Sequence, residues 1–174
     1  MSVIEREKTY LAKYLPEGLK DCRFKQIVDI YIPASENHPT LRIRKNGDTY
    51  EMTKKTPING SDSSEQTEHT ISLTPQEFKT LEAVEGKRVQ KDRYYYDYKG
   101  RTAEIDIFGG DLNGLVEVDF EFDNSEEKDT FDMPDFCLAD VTQEKTFAGG
   151  MLAGKSYADL KEDLDRYNYV PLSI

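Results

Sequence analysis

The residues best suited to chemistry in this sequence are charged side chains spaced two apart within strand-like stretches. Glu5 and Glu7 form the first such pair, within residues 4–11. Because strand side chains alternate between the two faces, both carboxylates point the same way, about 7 Å apart along the chain. They could reach one hydrated divalent cation, or two neighbouring ones, with help from an adjacent strand. An edge strand with alternating charges would give the same pattern over this stretch.

Further charged positions recur downstream on one face of a strand-like stretch, and these positions are sorted by sign from strand to strand. The basic members are Arg42, Arg44, Lys55, Lys91 and Arg93, and the acidic members are Glu5, Glu7, Glu104, Asp106, Asp119 and Glu121. Guanidinium and ammonium groups bind phosphate oxygens well, and carboxylates are ligands that Mg²⁺ and Mn²⁺ accept. The pattern therefore indicates a multiply anionic, metal-bound ligand.

Alternating apolar and polar residues predict the elements that position these side chains. Strands are predicted over residues 4–11, 24–32, 41–45, 49–55, 65–73, 87–98, 101–108 and 115–122. Asn46-Gly47 between two of them predicts a hairpin, because both residues tolerate positive φ. The last three strands follow one another as a β-meander.

Helices are predicted to be few. Thr74, Pro75 and Glu77 form a helix N-terminus with a capping box, and Gly86 is expected to end that helix. Shorter helices are predicted over residues 125–133 and 156–167. The small polar residues 59–64 predict a mobile loop.

Two arrangements of the charged faces are compatible with periodicity alone. An ordinary antiparallel sheet would leave its charged face in water and pack its apolar face on helices. The sorting of charge by strand and the scarcity of helices favour a different fold. We expect a mainly β, α+β chain whose antiparallel sheet of about eight strands closes into a barrel, charged inside and flanked by a few helices.

Size and composition narrow the class of protein. A chain of 174 residues suits a single domain over residues 1–174, and a formal net charge of -11 argues against nucleic-acid binding. No stretch approaches the ~20 apolar residues of a membrane span, so we expect no membrane partner and a cytoplasmic location. Cys22 and Cys137 fit no metal-ligand spacing and are predicted to be reduced thiols.

Over about residues 3 to 155, the ordered motifs resemble the CYTH domains, or triphosphate tunnel metalloenzymes. The opening resembles that family's E-x-E-x-K motif, with Thr9 in the place of the lysine. Residues 42–44, 53–55, 91–93, 104–106 and 119–121 are similar to its R-x-R, T-x-K, K-x-R, E-x-D and E-x-E motifs. Two departures are Ser64, where an arginine is common, and residues 147–151, which lack the usual asparagines.

The resemblance implies a tunnel-shaped barrel that hydrolyses a triphosphate with Mg²⁺ or Mn²⁺. It implies that the metal is held by Glu5, Glu7, Asp119 and Glu121, and the triphosphate by Arg42, Arg44, Lys55, Lys91 and Arg93. Lys55 and Arg93 would also offset charge on the leaving group, and Glu104 and Asp106 would bind a second metal or act as a base toward water. Glu117 is expected near the tunnel mouth or exposed. The expected partner is a small-molecule triphosphate, and the expected assembly is a monomer or homodimer.

Several functions stay open for such a constellation. Hydrolysis of inorganic tripolyphosphate is the leading prediction, because nothing in the sequence marks a base or sugar pocket. A thiamine triphosphatase, a nucleoside triphosphatase or a class IV adenylate cyclase could use the same residues. A polyphosphate- or nucleotide-binding module with weakened catalysis is the alternative from another class. It rests on Thr9, because losing a positive charge there could cost on the order of 10²-fold in rate.

Overall fold

A computed structural model describes residues 2–58, 60 and 62–174, and an antiparallel sheet dominates it. The strands are β1 (Ser2–Ala12), β2 (Phe24–Ile32), β3 (Leu41–Asn46), β4 (Thr49–Pro57), β5 (Glu65–Leu73), β6 (Lys87–Tyr98), β7 (Arg101–Phe108), β8 (Val116–Glu121) and β9 (Cys137–Asp140). The helices are α1 (Pro75–Leu81), α2 (Ser125–Thr130), α3 (Gly149–Leu152) and α4 (Lys161–Asp165). Within the described residues, no helix has the length and apolar character needed to cross a bilayer.

The sheet closes on itself through β1. The strand order is β5-β4-β3-β2-β6-β7-β8-β1, and β1 pairs back onto β5, with Glu5 opposite Gln66. Each pairing in this ring is antiparallel, so the predicted eight-stranded antiparallel barrel is confirmed. The pairing with β5 ends at Arg6, and β9 takes up the edge of β1 at Tyr10 to Ala12. The sequence analysis missed β9, because a four-residue strand has too few positions to show alternation.

The predicted turns and caps form largely as expected. Gly47 has a φ of 59° in the β3–β4 hairpin. In the capping box of α1, the Thr74 amide donates to Glu77 Oε2 at 2.7 Å and the Glu77 amide donates to Thr74 Oγ1 at 3.2 Å. Residues 156–167 do not form one continuous helix, because a 3₁₀ turn at Tyr157–Leu160 precedes α4.

The loop predicted at residues 59–64 falls partly on Asn59 and Ser61, which lie outside the described residues. At its end Ser64 is buried, and its hydroxyl accepts a hydrogen bond from Lys128 Nζ at 2.7 Å. Both cysteines are free thiols, as predicted.

Apolar side chains of the described residues form three clusters around the charged interior, the smallest of which joins Ile30, Ile43 and Phe78. The first lies outside the barrel wall, where Tyr10, Ile105, Val118 and Phe120 alternate with the inward-facing charged positions. The second cluster lies at the end of the barrel where β1, β2 and β7 finish, and there the chain after β9 packs against the strands. We term it the end core. Its members include Leu11, Tyr31, Val89, Phe108, Leu112, Leu115, Phe147, Leu152, Leu160 and Leu164.

Burial in the cluster outside the barrel wall predicts how much stability one of its aromatic rings contributes. Phe120 is fully buried, and its ring lies 4.7 Å from that of Phe131, whereas Phe24 is 47% exposed and stacks on Tyr94. We expect Phe120→Ala to lower the free energy of unfolding by about 3–5 kcal/mol, because it leaves a cavity. Phe24→Ala, the control, should cost about 1 kcal/mol. Urea denaturation measures both values, and equal losses would contradict the assignment of the core.

Candidate active site

The inward-facing charged positions line a cavity of about 320 Å³ inside the barrel. The predicted site residues that line it are Glu5, Glu7, Arg42, Arg44, Lys55, Lys91, Arg93, Glu104, Asp119 and Glu121. Asp106 is the exception, since it lies behind Lys91 and Arg93 and is fully buried. The structure therefore brings together side chains that are up to 116 residues apart in sequence, from Glu5 to Glu121.

Strands β1 and β8 form an acidic wall. Their antiparallel register places Glu7 opposite Glu121 and Thr9 opposite Asp119. The Thr9 hydroxyl donates a hydrogen bond to Asp119 Oδ1 at 2.7 Å. The residue that stands in the lysine's place thus contacts the acidic wall directly.

Burial and crowding disfavour full ionisation of this wall. Burial raises the pKa of Glu121 to about 7, and the carboxylates of Glu104, Glu5 and Glu7 add to the shift. Burial also raises the pKa of Asp119, with Asp106 contributing. A divalent cation would relieve this repulsion, and the oxygen donors suit a hard metal ion.

The carboxylates are held by basic side chains in this structure. Lys55 Nζ contacts the Glu5 carboxylate and lies 3.6 Å from Glu7 Oε1 and 3.8 Å from Glu68 Oε2. No group of three metal-ligating side chains is gathered closely enough to form a metal site across residues 2–58, 60 and 62–174. The predicted ligand set therefore lines one cavity without being pre-assembled around one point.

Strands β2 and β3 form a basic wall in which each arginine is held by its cross-strand neighbour. Asp29 pairs with Arg44, and Tyr31 pairs with Arg42. The buried Asp29 carboxylate accepts two hydrogen bonds from Arg44, at 2.6 and 2.8 Å. Burial alone would raise the pKa of Asp29, but the charge and hydrogen bonds of Arg44 hold it well below its usual range.

Arg42 is held more loosely than Arg44. Its Nη1 donates to Tyr31 Oη at 3.4 Å, and its buried Nε has no hydrogen-bond partner among the described residues. The sequence analysis missed Asp29 and Tyr31 as site residues. The available signal was their position on one face of a predicted strand, two residues apart.

A third cluster joins β6 to β7 and β8. Arg93 donates to both oxygens of Asp106, at 2.7 and 2.6 Å, contacts Glu104, and reaches Asp119 Oδ2 at 3.2 Å. Lys91 also contacts Asp106. Although burial opposes ionisation, Arg93 and Lys91 hold the pKa of Asp106 at about 2. Asp106 therefore stays ionised and fixes the two cations that line the cavity.

Two other carboxyl groups differ from Asp106. Burial raises the pKa of Glu104 above its usual range, although its Arg93 neighbour works against that rise. Glu117 is only 4% exposed and lines the cavity, so the expectation that it lies near the mouth or exposed is wrong. Because β8 begins at Val116, Glu117 lies at the end of that strand nearest the end core.

Comparison with known proteins agrees with this architecture. The family model of the CYTH domain matches residues 8–142. An inorganic triphosphatase of Nitrosomonas europaea is 30% identical over 151 residues, which cover 86% of this chain and 96% of that protein.

Solved structures give the same result. The crystal structure of the inorganic triphosphatase NE1496 has a TM-score of 0.64 at 28% identity, covering 88% of this chain and 96% of that one. The PH1012 protein of Pyrococcus horikoshii OT3 has a TM-score of 0.50 at 18% identity, over 72% of this chain and 83% of that one, which is a likeness in fold alone. With a closed barrel, an interior lined by the expected motifs and a family model matched over most of its length, this chain belongs to the CYTH domain family.

Proposed function

We propose that this protein is a metal-dependent triphosphatase that hydrolyses inorganic tripolyphosphate inside its barrel. The observation that carries the proposal is the pairing of a basic wall with an acidic wall across one cavity. A triphosphate needs cationic partners for its oxygens and a divalent cation to offset its charge, and the two walls supply ligands for both. The triphosphatases among its relatives support this choice of substrate.

Four carboxylates of the acidic wall are proposed as metal ligands. They are Glu5, Glu7, Asp119 and Glu121. A bound Mg²⁺ or Mn²⁺ would supply Lewis-acid chemistry, offsetting phosphate charge and making a water a better nucleophile. Lys55 contacts Glu5 in the present arrangement, so this ammonium now offsets charge that the metal would offset when bound. Lys55 would then be available to a phosphate oxygen.

The basic side chains are proposed to bind the triphosphate. They are Arg42, Arg44, Lys55, Lys91 and Arg93. Arg42 has a buried Nε–H free to donate, whereas Asp29 takes two donors of Arg44 and leaves the rest of its guanidinium for the ligand. Lys55 and Arg93 are proposed to offset charge that develops on the leaving group.

Glu104 and Asp106 are proposed to have different roles. Glu104 lines the cavity and has a raised pKa, which makes it a stronger base toward water than an ordinary carboxylate. Asp106, with a pKa of about 2, is a weak base and is enclosed by Lys91 and Arg93. We therefore assign Asp106 to positioning these two cations, and Glu104 to catalysis or a second metal.

The setting in which the enzyme works belongs to the same proposal. We propose that residues 1–174 act as one domain on a small-molecule triphosphate. We also propose that the protein works in the cytoplasm as a monomer or homodimer, apart from nucleic acid and membranes.

A binding module with weakened turnover is the second candidate, and Thr9 is the observation that favours it. Thr9 bonds to Asp119 and carries no charge. Arg93 also reaches Asp119, at 3.2 Å, so a positive charge is present at that position from another strand. This contact favours an active enzyme over the weakened module.

A panel of triphosphates tests the proposed function. Tripolyphosphate, ATP and thiamine triphosphate are incubated with Mg²⁺ or Mn²⁺, and released orthophosphate is measured, with a chelator as the negative control. Metal-dependent release from tripolyphosphate, fastest of the three, is the expected result. Cyclic AMP formed from ATP would assign a cyclase instead. Tight binding with no phosphate released over hours would assign the binding module.

Reversing the charge of Arg42 should abolish binding. We expect Arg42→Glu to lower kcat/KM for tripolyphosphate by at least about 10²-fold, because a buried cationic donor becomes an anion facing phosphate. Arg88→Glu is the matched control, since Arg88 is exposed on the outside of β6 and pairs with Glu82. Substrate binding that survives in a folded Arg42→Glu protein would refute the site assignment.

Restoring the lysine at position 9 separates the two candidates. If Arg93 already supplies the charge, Thr9→Lys should change kcat by less than about tenfold. A gain on the order of 10²-fold would instead identify a module weakened by the missing lysine. Thr9→Val, which removes the hydrogen bond to Asp119 without adding charge, is the control for loss of that bond.

A further inference from the structure

We propose that Gly149 and Gly150 close the inner end of the cavity, and that this wall restricts the ligand to a short phosphate chain with a free terminal phosphate against it. We term the uncharged surface formed by Tyr31, residues 38–40 and residues 147–150 the end wall. The proposal rests on the proposed function and adds a determinant of chain length.

The end wall depends on very close contact at Gly149. A Cβ atom at this position would lie 2.3 Å from Tyr31 Oη and 3.2 Å from Tyr31 Cζ. The backbone of α3 therefore rests directly on the tyrosine. Tyr31 Oη in turn accepts the hydrogen bond from Arg42. The end wall therefore directly adjoins Arg42, one of the side chains proposed to bind phosphate.

Gly150 makes a second contact of the same kind. A Cβ atom there would lie 2.3 Å from the carbonyl oxygen of Pro39 and 3.2 Å from His38 Cδ2. Neither glycine has a positive φ, so space and not backbone conformation is what requires glycine at both positions. Gly149 and Gly150 thus allow α3 to pack closely on Tyr31 and on the loop that precedes β3.

The end core lies behind the end wall. Phe147 and Leu152 flank the two glycines and pack with Leu11, Phe108 and Leu160, which are buried. A phosphate pushed past the wall would have to enter this apolar cluster without a counter-ion, which costs several kcal/mol. The phosphate chain must therefore stop beside Arg42.

Charge limits the ligand at the opposite end. Following β8 away from the end core, the inward positions run from Glu117 through Asp119 to Glu121, and Glu121 lies opposite Glu7 of β1. Glu51, opposite Arg44, and Glu104, which contacts Arg93, add negative charge among the cations. Because like charges repel, a phosphate chain that extends past Arg93 toward Glu7 and Glu121 is disfavoured, whereas a short chain can remain beside the cations.

The test compares ligand binding by phosphate chains of different length. Tripolyphosphate, tetrapolyphosphate and a long-chain polyphosphate are added in excess with Mg²⁺, and the rise in Tm is converted to affinity. Because the ligand is in excess, binding is read whether or not it is hydrolysed. We expect the unmodified protein to bind tripolyphosphate at least about tenfold more tightly than either longer chain. Equal affinities would overturn the proposal.

Gly149→Ala should weaken this discrimination, because its Cβ forces α3 away from Tyr31. We expect the preference for tripolyphosphate to fall to about threefold or less. The double variant Gly149→Ala/Tyr31→Phe removes the clashing oxygen and should restore much of the preference. Gly60→Ala is the control, since a Cβ there meets nothing within 4 Å. A folded Gly149→Ala protein that keeps the full preference would overturn the end wall.

Parallel assays of phosphate release keep the two proposals apart. Selective binding of tripolyphosphate without release of phosphate would refute the proposed hydrolysis and leave the end wall supported. Release of phosphate from tripolyphosphate together with equal affinity for all chains would refute the end wall and leave the proposed function supported.

Discussion

The need to neutralise buried charge governs this barrel. Moving an ion from water into a protein interior costs several kcal/mol of free energy unless a counter-ion and hydrogen bonds stabilise it there. Asp29 pairs with Arg44 and Asp106 pairs with Arg93, in each case from the directly opposite position of the neighbouring strand, and Lys91 also contacts Asp106. The same strand pairing that closes the barrel therefore also sets the positions of its cations, so the fold and the site are held by shared contacts.

The two sides of the cavity differ in how completely their charge is balanced. Arg44 has the Asp29 carboxylate behind it, and Lys91 and Arg93 have that of Asp106, whereas Asp119 and Glu121 on the acidic side have raised pKa values. Under the proposed function, a divalent ion held by Asp119 and Glu121 would offset the charge of the acidic side, which would favour a polyanion in the same cavity.

Sequence patterns predicted much of the architecture but less of the candidate active site. The period of two that a pleated strand imposes on its side chains fixed eight strands and the inward face of each, because a slip of one residue would expose the apolar set. It could not predict β9, which depends on an edge left open by β5, or the break before α4. Pairing across strands was also invisible, so Asp29 was overlooked, and the contact of Asp106 with Arg93, on which its proposed positioning role rests, could not be predicted.

Strand β1 carries Glu5 and Glu7 and also pairs with β5, β8 and β9. Where β1 lies between two partner strands, its backbone hydrogen bonds cannot break without separating the barrel strands at that point. Its central amides should therefore be among the slowest to exchange with solvent, since exchange there requires unfolding on the scale of the whole sheet. The acidic strand of the cavity should thus also be among the most protected segments of the polypeptide, above all at Tyr10 and Leu11, which lie between β8 and β9.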